Sequence, residues 1–219
     1  LDAEAELANI LSTEILAEIN REVIGQIKNV AKTGSTKASP AGSFDFDDTA
    51  GDLLGARWGQ EKFQALVFQI EKEANTIAQE TRRGKGNYVI VSPNVGSALA
   101  ASGSLNYSDS VNSSGLTIDS MGNTFAGTLN GSLKVYIDPY QTSDEVIVGY
   151  KGPSPYDAGI FYCPYVPLTM VKAVGEEDFQ PRIAFKTRYG LANNPFVSLT
   201  NTSLAASNPY FRRFTVINL

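Results

Sequence analysis

The first thirty residues of the chain combine apolar and acidic side chains at helical spacing. Apolar positions recur every three or four residues with glutamates between them, which is the pattern of an amphipathic α-helix. The pattern predicts one long helix that ends near Ala31, before the polar stretch KTGSTKASPAG. No cap precedes it, so we expect further sequence upstream. The apolar stripe consists of Leu7, Ile10, Leu11, Ile15, Ile19 and Val23.

A second amphipathic pattern predicts a helix over roughly residues 58–83. The basic residues and glycines of RRGKGN, which follow it, are typical of a helix C-terminus; a phosphate-binding loop would need a strand before the glycines and a helix after them. YVIVSP then predicts a short buried strand. Ser92 and Pro93 have the residue types of an N-cap and a first helical position, so a brief helix is expected through Ala101.

Further along the chain the apolar period becomes two. A segment rich in Ser, Asn and Gly, residues 102–132, is expected to form a loop or short hairpins. The stretches LKVYIDPY, EVIVGY, RIAFKTRYG and FRRFTVINL are then predicted to be strands. Helices first and strands later, with one βα unit between them, predict an α+β fold.

Composition counts against most enzyme chemistry. The chain has no histidine, which excludes Ser-His-Asp and Cys-His catalysis and HExxH zinc sites. Cys163 is the only cysteine, and we expect a buried thiol rather than a nucleophile, because there is no histidine to activate it. Carboxylate chemistry remains open, but no carboxylate pair can be located, so the chain is not predicted to be an enzyme or to carry a cofactor.

The clustered aspartates of FDFDDTAGDLLGA are candidates for a cation site. In a calcium loop that starts at Asp45, Ala50 would occupy the obligatory glycine position and Ala56 the bidentate glutamate position. Both requirements fail. A turn with Asx caps, formed within the cluster of Asp45, Asp47 and Asp48, is therefore favoured over a metal site.

Charge is unevenly distributed along a chain whose net charge is -5. Residues 1–22 carry six acids against Arg21, whereas residues 179–219 carry five basic residues and no acid. The two segments are either two solvated faces or complementary surfaces that meet within or between subunits. The acidic balance argues against binding nucleic acid through its phosphates. No apolar run reaches the length of a membrane span.

The segment YKGPSPYDAGIFYCPYVPL, Tyr150–Leu168, holds five aromatics and four prolines. It is too apolar for a solvated loop and too rich in proline for a helix or a central strand, and the prolines fit short edge strands. Its aromatics fit either the domain core or a subunit contact. A stacking platform for bases or sugars is disfavoured, because Lys151 is the only cation in the segment.

Eight colinear blocks carry a resemblance to a known family: ELANILSTEILAEINREV, FDFDD, GARWGQEKFQALVFQIEKEANTIAQETRRGKGNYVIVSPNV, FAGTLNGSLKVYIDPY, GYKGPSPYDAGIFYCPYVPL, FQPRIAFKTRYG, NPF and YFRRFTVINL. They resemble the major capsid protein of the T-even-type contractile-tailed bacteriophages. The resemblance extends over essentially the whole chain and implies that it is the C-terminal part of a longer protein. Blocks of this length are far more specific than a short motif.

The resemblance implies the tailed-phage capsid (Hong Kong-97-like) fold, with a long spine helix, a peripheral-domain sheet and an axial domain. Residues 1–57 would hold the spine helix and part of the peripheral domain, and residues 58–140 mostly the axial domain. Residues 141–219 would be strands that return to the peripheral domain.

The function implied by the resemblance is structural. Many copies would self-assemble into hexameric capsomers of an icosahedral or elongated phage head, in the virion, around packaged double-stranded DNA that is enclosed without sequence-specific binding. A vertex protein and decoration proteins are the other expected partners; no membrane is expected. Alternatives are the pentamer-forming vertex paralogue, a bacterial shell protein of the same fold and, from a different class, a carbohydrate- or host-binding module.

The expected assembly residues are aromatics of the proline-rich segment, acids of the first helix and basic residues of the last strands. We expect Arg212→Glu combined with Arg213→Glu to weaken assembly more than folding. The candidates are Tyr156, Phe161, Tyr162, Tyr165, Arg182, Lys186, Arg188, Arg212, Arg213, Glu14, Glu18 and Glu22.

Overall fold

The computed structural model describes residues 3–35, 41–47, 58–107, 124–193 and 208–219. Three helices lie in these ranges: α1 (Ala3–Val30), α2 (Gly59–Thr81) and α3 (Pro93–Ala101). All three were predicted, α1 and α2 from apolar periodicity and α3 from Ser92 and Pro93 at its start, with ends within about two residues. Together with the strands they confirm the α+β class.

Local chemistry explains where two of these helices begin or end. The Ser92 hydroxyl accepts a hydrogen bond from the Val95 N–H at 3.4 Å and donates one to Asp144 Oδ1 at 2.9 Å, which confirms Ser92 as the N-cap of α3. Helix α2 ends at Arg82, which is left-handed (φ 53°) and donates its N–H to the Ala78 carbonyl. The following Gly84 instead permits close packing, because a Cβ there would lie 2.6 Å from the Tyr150 ring.

Eight strands form the main sheet. Along it the order is β1-β10-β7-β3-β6-β5-β4, and β2 pairs with β10 beside β1. Strand β3 is parallel to β6, and β1 and β2 are parallel to β10, while the other pairs are antiparallel. The strands are β1 (Ala31–Thr33), β2 (Ser43–Asp45), β3 (Tyr88–Val91), β4 (Leu105–Tyr107), β5 (Thr124–Leu129), β6 (Leu133–Ile137), β7 (Glu145–Gly149) and β10 (Asn208–Ile217).

The core lies between this sheet and α2. The α2 residues Leu66, Ile70 and Ile77 are fully buried, and the helix packs on β7 and β10. On the sheet, Phe211 and Phe214 are nearly inaccessible to solvent. Each such side chain stabilises the fold by about 1.5–3 kcal/mol through burial. Helix α1 joins the core through its C-terminal half only, with Ile24, Ile27 and Val30.

The three segments implied by the resemblance share this sheet. Residues 1–57 supply β1 and β2, residues 58–140 supply β3 to β6, and residues 141–219 supply β7 and β10. They therefore do not fold as three separate sheets, and their assignment to axial and peripheral domains stays a prediction. Within the Ser/Asn/Gly-rich segment, β4 and β5 form an antiparallel pair as expected, and residues 108–123 lie outside the described residues.

A second, two-stranded sheet consists of β8 (Ile160–Val174) and β9 (Pro181–Asn193). At about 3.3 Å per residue, this antiparallel ribbon is about 45 Å long. The prediction of short edge strands in Tyr150–Leu168 was wrong in length, because β8 runs through Pro164 and Pro167. The missing proline N–H groups are accommodated by register shifts between Pro164 and Thr169.

Candidate assembly surface

The β8–β9 ribbon has two chemically different faces. Residues paired directly across the strands share a face. On one face Met170 lies opposite Phe185, Lys172 opposite Ile183, and Val174 opposite Pro181. Along β9, exposed basic residues alternate with half-buried apolar residues. The basic residues therefore lie on the face opposite to the apolar one. One side of the ribbon is therefore mostly apolar, with Lys172 among its residues, and the other side carries the exposed basic residues Arg182, Lys186 and Arg188.

The aromatics of Tyr150–Leu168 are mostly at the surface. Tyr150 is buried and Phe161 is half-buried, but Tyr156 is 86% exposed and Tyr165 82% exposed. Tyr162 is also exposed. Intradomain core, one of the two interpretations left open by the sequence, is thus excluded for Tyr156 and Tyr165, and a surface role remains for both.

The predicted burial of Cys163 was wrong. Its thiol is exposed, and the residue lies on β8 opposite Gly190 of β9. In the described parts of the chain no second layer covers Cys163 and its neighbours on this two-stranded ribbon, so an apolar sequence around a cysteine does not by itself lead to burial.

A buried hydrogen-bonded cluster fixes the base of the ribbon. Asp157 accepts hydrogen bonds from the Tyr150 hydroxyl at 3.2 Å and the Tyr210 hydroxyl at 3.1 Å. Arg83 approaches the same carboxylate at 3.6 Å. Burial raises the pKa of Tyr150, and the hydrogen bond to Asp157 raises that pKa further. Sequence reasoning missed this cluster, although Asp157 is the only acid in Tyr150–Leu168.

Between this cluster and β8, the chain packs closely on β10 at Gly159. Gly159 lies where a Cβ would come within 2.6 Å of both Tyr210 and Phe211. Its carbonyl accepts a hydrogen bond from Asn208 Nδ2 at 2.6 Å. The first residues of the ribbon are thereby held against β10.

The N-terminal half of α1 exposes apolar residues. Leu7 is 66% exposed and Ile10 58% exposed, and Leu11 and Leu16 also face solvent. The predicted apolar stripe is therefore helical as expected, but burial begins only at Ala17. Among the residues that the structure describes, none buries the apolar residues of this half of α1, which is therefore an exposed amphipathic surface.

The acids of this helix face make exposed pairs. Arg21 Nη2 lies 3.0 Å from Glu14 Oε1 and 3.0 Å from Glu18 Oε2. The Arg21 guanidinium also lies 4.5 Å above the centre of the Tyr140 ring. Solvent-exposed pairs of this kind stabilise a protein by at most about 1 kcal/mol, so both glutamates can take part in other contacts.

Helix α1 meets the ribbon through Glu22, which accepts a hydrogen bond from the Tyr189 hydroxyl. The Tyr189 ring in turn packs against Tyr162, with 5.3 Å between the ring centres. The hydrogen bond to Glu22 is the main cause that raises the pKa of Tyr189 to about 12, and partial burial adds to it. Within the subunit, this acid of α1 thus contacts a tyrosine of the last strands.

Arg212 lies inside the subunit. Its Nη1 is 3.2 Å from Glu73 Oε2, and its Nη2 is 2.5 Å from Glu80 Oε1. Glu73 also accepts hydrogen bonds from Gln69 Nε2 at 2.9 Å and from the Ser35 N–H at 2.8 Å. The interpretation of Arg212 as a subunit contact is therefore corrected, because β10 runs beneath α2 and its arginine neutralises acids of that helix.

The other basic candidates differ in position. Arg182 is exposed and approaches Asp178 at 3.5 Å, while Lys186 and Arg188 are exposed on the same face of β9. Arg213 is half-buried on β10, where its carbonyl accepts the Gly34 N–H at 2.7 Å. The combined Arg212→Glu and Arg213→Glu change is now expected to impair folding.

The predicted Asx turn is confirmed. Asp45 Oδ1 accepts hydrogen bonds from the Asp47 N–H at 2.9 Å and from Asn218 Nδ2 at 2.8 Å, and these bonds lower the pKa of Asp45. Asp48 lies outside the described residues. In the described ranges, no three His, Cys, Asp or Glu residues form a group that could hold a metal ion. None of the helices described is long and apolar enough to span a membrane.

Comparisons with known proteins match nearly the whole chain to one family. The model of the family "Major capsid protein Gp23" matches residues 1–216. The major capsid protein of Enterobacteria phage T4 is 44% identical over 236 residues, which cover 99% of this chain and 45% of that protein. That of Enterobacteria phage T6 is 48% identical over 202 residues, which cover 90% of this chain and 40% of the relative.

A more distant relative is the capsid vertex protein of Enterobacteria phage T4, which is 27% identical over 209 residues. A solved chain from Mycobacterium phage Che8 aligns with 98% of this chain at 15% identity and a TM-score of 0.49. The chain spans about half the length of the curated relatives it matches. The match along residues 1–216 and the identities of 44–48% confirm the resemblance seen in the sequence: the chain belongs to the Gp23 family of major capsid proteins.

Proposed function

We propose that this chain is part of a major capsid protein, many copies of which form the shell of a phage head. The observation that carries the proposal is the family match over residues 1–216, together with relatives that are themselves named major capsid proteins. The higher identity to these relatives than to the vertex protein favours a hexamer-forming subunit over a pentamer-forming one.

The proposed fold assignment follows from the same family membership. Helix α1 would be the spine helix of a Hong Kong-97-like subunit, and the eight-stranded sheet would contribute to its peripheral and axial domains. The length of α1, 28 residues or about 42 Å, supports a helix that extends well beyond the core it packs on.

The mechanism we propose is assembly through many weak contacts. The exposed candidates would lie at contacts between copies; they are Tyr156, Tyr162, Tyr165, Arg182, Lys186, Arg188, Glu14 and Glu18. The half-buried Phe161 and Arg213 and the Tyr189-bound Glu22 would contribute less. Because each subunit makes several such contacts at once, the lattice is much more stable than one contact. The net negative charge of the chain supports a wall that encloses DNA without binding it tightly.

The experiment is assembly of the full-length protein, followed by sedimentation and negative-stain microscopy. We expect large closed or tubular particles. Tyr156→Ser combined with Tyr165→Ser should lower particle yield while leaving subunit unfolding unchanged, because both side chains are more than four-fifths exposed. Phe68→Ser is the matched control, since Phe68 is 69% exposed on α2 and lies outside the proposed surface. A monodisperse small oligomer under all assembly conditions would contradict the proposal.

A further inference from the structure

The tip of the β8–β9 ribbon, residues 175–180, holds an exposed aromatic side chain on a strained backbone. Phe179 is 83% exposed, and its φ of 49° lies in the left-handed region. A bulky residue is rarely found there, because its Cβ crowds the backbone. Two backbone hydrogen bonds close the turn, from the Phe179 N–H to the Gly175 carbonyl at 3.1 Å and from the Gly175 N–H to the Gln180 carbonyl at 3.0 Å. Strain of this kind is concentrated at functional sites, which points to a role for the Phe179 ring.

An open groove lies at the other end of the ribbon, where β8 begins. Its volume is about 410 Å³, and its lining is mainly aromatic and apolar. A cavity of about 150 Å³ accommodates a benzene ring, so this base groove has room for the ring of a phenylalanine and for part of its turn. The larger side chains that line the base groove are Tyr88, Tyr150, Pro155, Phe161, Tyr162 and Phe211.

The base groove and the ribbon tip carry opposite charges. Among the described residues that line the groove, Lys151 is the only charged one, and it is exposed. Its hydrogen bonds with Asn87, at 2.7 and 3.1 Å, are made by its backbone, so they do not occupy its ammonium. Asp157 lies nearby but is buried and is approached by Arg83 at 3.6 Å, so it does not cancel this positive charge. The tip is acidic and exposed at Glu176, Glu177 and Asp178.

We propose that Phe179 of one copy inserts into the base groove of a second copy, with the acids of its turn beside Lys151. Complementary charge of this kind fixes the register of an interface. The tip cannot reach the base groove of its own subunit, because β8, with 15 residues, separates them by about 45 Å. The contact is therefore heterologous, and repeated heterologous contacts build rings or extended arrays. The inference rests on the proposed function, because it needs many copies in contact.

Pairs of cysteines test this contact in assembled particles. Full-length copies with Phe179→Cys are co-assembled with copies that carry Pro155→Cys, both with Cys163→Ser to remove the exposed native thiol. A disulfide needs Cα atoms within about 7 Å, so this bond can form only between copies. We expect a linked dimer after mild oxidation, with the pair identified by mass spectrometry. Phe68→Cys in place of Pro155→Cys is the control; Phe68 is 69% exposed on α2 and should give no such link.

Phe179→Asn separates a binding role from a structural one. Asparagine adopts the left-handed conformation more readily than phenylalanine, so dispersed subunits should unfold no more easily than the native ones. Assembly should nevertheless need about ten times more protein, because the buried ring is lost. Phe68→Asn removes an exposed ring elsewhere and should leave assembly unchanged. Equal effects of the two variants on assembly would overturn the inference.

An exchange of charges tests the pairing of the tip with the groove. Lys151→Glu should weaken association about tenfold, and so should Glu176→Lys combined with Glu177→Lys. All three changes in one protein should restore association, because the opposite charges face each other again. If the exchanged charges give no rescue, Lys151 does not face the tip and the inference fails.

Other outcomes assign the tip or the groove elsewhere. Normal particles that link only Phe179→Cys to Phe179→Cys would place the tips against one another, overturn this contact and leave the proposed shell function intact. If an amine reagent fails to label Lys151 already in dispersed full-length subunits, the groove is filled within the subunit, which also overturns it. If the full-length protein forms no particles, the proposed function fails, and this contact fails with it.

Discussion

Arg212 shows how a single residue joins two elements of the core. Its guanidinium pairs with Glu73 and Glu80 of α2, and only 8% of its side chain and 4% of that of Glu73 remain exposed. Arg212→Ala would leave the Glu73 carboxylate buried without its partner, which costs about 3–5 kcal/mol of unfolding free energy. Urea unfolding of the soluble subunit, followed by circular dichroism, measures this difference.

The control for that measurement is the neighbouring Arg213→Ala. Arg213 is half-buried, and its contribution to the sheet is through its backbone carbonyl, which the substitution keeps. We expect a loss below about 1 kcal/mol. Equal losses for the two variants would show that the ion pair beneath α2 does not stabilise the subunit.

Tyr189 reports the contact between α1 and the ribbon through its titration. A pKa of about 12, against the ordinary 10.0, means that folding favours the neutral phenol that donates to Glu22. The stability from this bond is complete below about pH 10 and is lost as pH rises to about 12. The difference between the tyrosinate absorbance titrations of the native chain and Tyr189→Phe isolates this group.

Glu22→Gln should move the Tyr189 titration back toward its ordinary pKa, because the charged acceptor is removed. The control is Glu6→Gln, an exposed acid of the same helix. A Tyr189 midpoint near pH 10 in the native chain would mean that α1 and the ribbon do not touch in solution.

Side-chain hydrogen bonds were predictable from the sequence where they join residues that are close together in the chain. Ser92 caps α3 and Asp45 forms an Asx turn with Asp47, because both bonds join residues two or three positions apart. Arg212 and Asp157 were not predictable, since their partners lie up to 139 residues away in the chain. A basic residue in a β-strand pattern is predicted to be exposed, unless the helix that packs on the strand is known to place acidic side chains beside it.

At the scale of elements, apolar periodicity predicted α1, α2 and most strands, and Ser92 with Pro93 predicted α3, but neither signal predicted the ribbon. In β9 the alternation of Arg182, Lys186 and Arg188 with apolar residues was recognised as a strand. In β8 the prolines argued against a long strand, yet the strand has 15 residues. Register shifts, which the sequence does not show, accommodate the prolines. Whether an alternating strand covers a core or stands alone depends on layers that no local pattern encodes.

The isolated ribbon leads to a prediction about hydrogen exchange. A two-stranded sheet without a covering layer is only marginally stable, so in dispersed subunits the amides of residues 169–186 should exchange faster than those of β3 and β7. In assembled particles the same amides should become protected. Mass spectrometry of both states measures this, with β7 as the internal reference. Exchange that is equally slow in both states would show that the ribbon is covered within the subunit.

At the scale of the whole molecule, the sequence predicted the class of fold but not its connectivity. The sequence predicted the βα unit formed by β3 and α3, but not the parallel pairing of β3 with β6. The insertion of β7 between β3 and β10 could not be predicted, because strands with similar alternation can pair in several orders. Family membership was accessible from the sequence, since it rests on long colinear blocks rather than on any single residue.

The most direct test of the proposed shell function is cryo-electron microscopy of heads purified from the phage proposed to encode this chain. We predict a closed wall of repeated subunits, each with density for the eight-stranded sheet, the long helix α1 and the projecting ribbon. Density for the ribbon should lie between neighbouring subunits. A wall built from a different protein, with this chain absent or confined to a small separate oligomer, would contradict the account.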